Sequence, residues 1–139
     1  MKRHLLPALL AATAIATATA PAWGARPANL AGTTWTVQIN GTSEQLVITH
    51  QGGTGTAGGS ACVRVQGTIG PAPLRGWYCS LTGRLHLKHN NMDSGATVRT
   101  IDAHVSDEVV GQPLHLGGTV WVEDAAFGEL GAYNFSGVR

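Results

Sequence analysis

Apolar and polar side chains alternate along most of the chain. Trp35, Val37 and Ile39 fall on one side of a two-residue period, and Thr34, Thr36 and Gln38 on the other. That spacing predicts a strand with one face in an apolar core. Asn40-Gly41 follows as a turn that tolerates positive φ. Glu44 to His50 is the expected hairpin partner, with Leu46 and Ile48 on one face. The alternation returns in Cys62 to Gln66, Leu74 to Cys79, Arg84 to His89, Thr97 to Val105, Leu114 to Val122 and Leu130 to Val138. Between these runs stand Gly70-Pro71-Ala72-Pro73, Leu81-Thr82-Gly83, Asn90 to Gly95, Ser106-Asp107-Glu108 and Gly111-Gln112-Pro113. The glycine-rich stretch Gln51 to Ser60 reads as a flexible loop, because glycine loses the most entropy on ordering and packs no side chain. Glu108-Val109-Val110 and Asp124 to Phe127 are long enough for a single turn each.

About eight short strands with no helical period predict an all-β fold. A small antiparallel barrel of about eight strands carrying one disulfide is preferred, because closure removes exposed strand edges. A sandwich is the alternative.

The first residues break this pattern. Met1-Lys2-Arg3-His4 is a basic tip, Leu5 to Ala20 is apolar and rich in Ala and Thr, and Ala22-Trp23-Gly24 places small residues before Ala25. This is the form of a secretory signal peptide, and the apolar part is short for a membrane anchor. Residues 1–24 are therefore expected to be removed, leaving 25–139 as a single domain of a secreted or periplasmic protein. The Ala/Thr bias of the signal favours a bacterial source.

That cleavage changes the charge. Lys2 and Arg3 leave, so seven basic residues remain against eight acidic ones, a formal charge of −1. Arg26, Arg64, Arg75, Arg84, Lys88, Arg99 and Arg139 are scattered along the sequence. A nucleic-acid partner needs a concentrated basic footprint, so none is expected, nor is a transmembrane segment after cleavage. Cys62 and Cys79 both lie in the exported part, where an oxidising compartment makes a disulfide the simplest outcome.

The candidate chemistry is thin. His86 and His89 are an odd number of residues apart, which places them on opposite faces of a strand. His50, His104 and His115 stand singly, and no metal is expected. Asp102 and His104 share a face, but no serine sits in a nucleophile elbow. Asp107-Glu108 and Glu123-Asp124 read as turn carboxylates. No catalytic residue, cofactor or enzymatic activity is expected. Asn40-Gly41-Thr42 and Asn134-Phe135-Ser136 match a glycosylation acceptor pattern, which a bacterial source makes irrelevant.

The aromatic residues carry more. Trp35 shares the Val37/Ile39 face and reads as core. Trp77 and Tyr78 must point to opposite faces beside Cys79, and Trp121 lies opposite Leu116, Val120 and Val122. Trp77, Tyr78 and Trp121 are the candidate ligand-binding residues, as a stacking platform for a sugar or another flat apolar group.

Gly32-Thr33-Thr34-Trp35 at the opening of the first strand resembles the start of a calycin-type barrel, the group that includes the lipocalins and avidin-like proteins. Those families usually carry Gly-x-Trp where this chain has Gly-x-x-Trp. The resemblance covers roughly residues 30–138 by architecture and implies a barrel able to hold one small ligand. The expected function is a secreted, non-enzymatic binding protein for a small apolar or carbohydrate-like ligand. The alternative is a barrel that binds a secreted protein partner, as a protease inhibitor does.

Overall fold

In β1 (Thr33–Ile39), every second side chain is buried, and the intervening ones face solvent. A two-residue period, less strict than in β1, also marks β2 (Thr42–Thr54), β3 (Cys62–Ile69), β4 (Ala72–Cys79), β5 (Arg84–His89), β6 (Val98–Val105), β7 (His115–Asp124) and β8 (Gly128–Val138). The computed structural model describes residues 24–54, 62–89, 97–124 and 128–139. The segment expected to be a signal peptide lies outside the described residues, apart from Gly24.

Each strand pairs antiparallel with the next, and β1 pairs with β8 to close the barrel. Closure gives every strand two neighbours, β1 and β8 meeting along Thr36–Ile39 and Phe135–Val138, and so limits exposed strand edges. The β1–β2 hairpin turns on Asn40 and Gly41 at φ 47° and 82°, two consecutive positive values that Asn-Gly accommodates better than other residue pairs.

Strand β2 is longer than its composition suggests. Gln51 to Thr54, expected as the start of a flexible loop, continues the strand opposite Val63 to Val65, with one register shift between Gly52 and Thr54. Pairing with β3 supplies hydrogen bonds that outweigh the entropic cost of the glycines. Residues 55–61, like the turns expected at Asn90 to Gly95 and Ala125 to Phe127, lie outside the described residues. Asp124, expected in that last turn, instead ends β7 opposite Gly128.

The inward side chains fill the barrel. Trp35, Leu46, Ile48, Tyr78, Leu85, Leu87, Ile101 and Val120 are all fully buried, and Phe135 is nearly so. The Trp35 indole N–H donates to Thr33 Oγ1 at 2.8 Å, and that hydroxyl donates to the Leu30 carbonyl at 2.7 Å. A buried indole is thus satisfied without water. Gly76 and Gly118 also point inward; a Cβ at either would strike the backbone carbonyl of His86 or Asp102 on the adjacent strand. The adjacent strand approaches so closely there that nothing larger than hydrogen fits.

Candidate functional site

One end of the barrel is sealed by the segment ahead of β1. Leu30 is fully buried, and the Gln51 side chain clamps the segment, accepting from Leu30 N at 2.8 Å and donating to the Ala28 carbonyl at 2.9 Å. Tyr78 donates to the Pro27 carbonyl at 2.7 Å. Arg26 donates to the Leu81 carbonyl at 2.8 Å and pairs with Asp107 at 3.3 Å, joining the β4–β5 and β6–β7 loops. Around this sealed end Leu81 is 73 % exposed, Val109 55 % and Val110 fully exposed. A cleft of about 590 Å³ opens there between Ala25, Glu108, Val109, Val110, Pro113 and Arg139.

The opposite mouth is crossed by an ion pair. Glu44 on β2 opposes the buried Val37, and Arg99 on β6 has the inward parity of Ile101. The two strands stand on opposite walls of the eight-strand barrel. Arg99 Nη1 reaches Glu44 Oε1 at 2.9 Å and Oε2 at 2.8 Å. The lumen beneath this bar is packed with the side chains named above. His89, also of inward parity, bonds through Nδ1 to the Thr97 carbonyl at 2.9 Å.

On the outside of the wall, Trp77 and His86 are direct cross-strand neighbours and stack with centroids 5.4 Å apart. The Arg84 guanidinium lies 5.3 Å from the Trp77 ring centroid. His86 Nδ1 bonds to Asp102 Oδ1 at 2.8 Å, and Arg84 reaches the same oxygen at 3.6 Å. Asp102 therefore pairs across strands with His86, while His104, its neighbour on the same face, opposes Arg84 and Gly117. Among the described residues the hydrogen bonds of His86 stop at Asp102, and no group of three or more His, Cys, Asp or Glu converges as metal ligands.

The three candidate aromatics occupy different places. Trp77 is outside and partly exposed, whereas Tyr78 is inside and fully buried. Trp121 is outside, partly exposed, opposite Thr100 and Ala132. Strands β5 and β6 separate it from Trp77, so the three do not form one platform. Cys62 and Cys79 are a directly opposed pair on β3 and β4 and form the disulfide.

Two features escaped the linear reading. The His86–Asp102 pair follows from register, which alternation alone does not give. Cations scattered in sequence also gather in space: Arg64, Arg75, Arg84 and Lys88 all point outward from β3, β4 and β5.

No family model, curated protein or solved structure matches the chain.

Proposed function

We infer that the protein is an exported, non-enzymatic binding protein that recognises a protein partner with the outside of a filled barrel. The packing of the lumen carries this reading. Trp35, Tyr78 and Phe135 occupy the space a carried ligand would need, with 0 to 2 % exposure. The sealed end supports it further. Leu81, Val109 and Val110 are held in solvent by loops that Arg26 ties together. Exposed apolar side chains at the rim of a cleft are what a protein interface uses. A loop-presenting barrel of this kind fits an inhibitor of a secreted hydrolase.

A second reading, a small ligand, draws support from the polar mouth, where Glu44 and Arg99 meet. Such a ligand would sit above the core and exchange with that ion pair.

Native mass spectrometry against a denatured control separates these readings. An empty chain is expected. Extra mass of a few hundred daltons, lost on denaturation, would overturn the filled-barrel reading. A photo-crosslinker at Val110, used in the secreted fraction of the producing cells, is expected to trap one protein. That adduct should disappear when Val109 is changed to Asp. Trapping that survives V109D would overturn the sealed end as the interface.

A further inference from the structure

We propose that the outer wall from β3 to β7 is a second binding surface, for an anionic polysaccharide with carboxylates along its length, such as a polyuronate. It lies apart from the sealed end and does not depend on the protein-partner reading.

The wall is electrically one-sided. Arg64, Arg75, Arg84 and Lys88 face outward on three adjacent strands, with the exposed histidines His50 and His104 beside them. Among the described residues two acids share this wall: Asp102, already engaged by His86 and Arg84, and the exposed Glu123 near the end of β7. Glu44, Asp107 and Glu108 lie at the two ends of the barrel, with Glu44 paired to Arg99 and Asp107 to Arg26. A chain close to neutral overall thus presents a local cationic field.

Arg75 and Lys88 face each other directly across β4 and β5. Like charges in that position are destabilising, and among the described residues neither has a carboxylate partner. Such a pair is relieved by an anion laid across it. Arg64, two strand positions along, extends the pair into a triangle.

Register selects the shape of the anion. Arg75, Lys88, Thr100 and Trp121 follow one another across β4, β5, β6 and β7 in a single lateral row. Strands are about 4.8 Å apart, so the row offers repeated contacts to an extended chain wrapping the barrel, rather than to a compact ligand. Trp121 is flanked by the small side chains of Thr100 and Ala132, which leaves its indole to cover the apolar face of a sugar ring. Glu123 on the same strand marks where the favourable field ends. An acidic peptide would extend an open strand edge, whereas each strand of this wall, from β3 to β7, is paired on both sides.

The test is titration of the purified, disulfide-intact protein with a short uronate oligosaccharide at low salt. A neutral oligosaccharide, poly-glutamate and a single-stranded oligonucleotide serve as comparisons. Saturable uronate binding that weakens as salt rises is expected, because each neutralised carboxylate releases a counterion. Arg75→Glu is expected to weaken it about ten-fold or more, while thermal stability holds or rises because the introduced carboxylate opposes Lys88. Trp121→Ala is expected to weaken uronate binding and leave any poly-glutamate binding unchanged. Absence of saturable uronate binding, or binding that survives R75E, would overturn the proposal. So would equal affinity for poly-glutamate or the oligonucleotide with no effect of W121A, which would mark a general polyanion surface.

Discussion

The Tyr78 hydroxyl, inside the wall of the barrel, hydrogen-bonds to the carbonyl of Pro27, 51 residues earlier in the chain. This bond fixes the leading segment over the sealed end and keeps a buried phenol satisfied. Burial pushes the Tyr78 pKa up from 10.0 to about 12; Glu108 and Asp107 add to the rise, and Arg26 opposes it.

The sign of the resulting pH dependence follows. Below pH 10 the phenol is protonated in both folded and unfolded chains. Between pH 10 and about 12 only the unfolded chain releases its proton, so stability falls, by roughly 2–3 kcal/mol. Above about 12 that contribution is constant. Denaturant titrations across this range are expected to show the loss in the wild type and its absence in Tyr78→Phe. At neutral pH the same variant is expected to be about 1–2 kcal/mol less stable, because the Pro27 carbonyl loses its donor.

Glu44 and Arg99 bridge opposite walls at the other end, each partly exposed. Glu44→Gln leaves a guanidinium over an apolar lumen without its counter-charge. A cost of about 1 kcal/mol is expected, shrinking as salt is added. A double-mutant cycle with Arg99→Gln, read by urea denaturation, should return a favourable coupling energy. A coupling of zero would mean that the two charges act separately.

The Cys62–Cys79 bridge joins strands that are already paired, over a separation of 17 residues. Its contribution resides mainly in the unfolded chain, where it removes about 3 kcal/mol of loop entropy. Replacing both cysteines with serine should lower the urea midpoint while far-ultraviolet circular dichroism remains that of a β protein. Loss of the β signal at zero denaturant would show that the bridge is required for the fold itself.

Gly117 and Gly118 are neighbours with opposite fates. A Cβ at Gly117 meets nothing within 4 Å, whereas one at Gly118 collides with backbone of β6. Gly117→Ala is expected to change stability by no more than about 0.5 kcal/mol, and Gly118→Ala to cost more than about 3 kcal/mol. Thermal melts of the two variants would check the contrast directly.

Strand identity was legible because burial on one face forces a two-residue period; Trp35-Val37-Ile39 and Leu85-Leu87 show it without help from the rest of the chain. The end of β2 was not. Gln51 and Gly52 have little strand preference of their own, and their state is decided by β3 beside them and by the bonds from Gln51 to Leu30 and Ala28. The candidate aromatics were legible as to parity: Trp77 and Tyr78 do face opposite ways. Their distance from Trp121 depends on strand order, which local pattern does not contain. The same holds for Glu44 with Arg99 and for His86 with Asp102. Each is a pair created by register or closure between residues with no local signal for one another.

The inward glycines bear on how such a chain can change over time. At Gly67, Gly76 and Gly118 any side chain would enter the backbone of an adjacent strand. Apolar wall residues can exchange volume among themselves, and outward residues can change charge or size with little effect. These three positions can do neither. Part of what this fold requires of its sequence is thus written in missing side chains, at positions that carry no chemical motif.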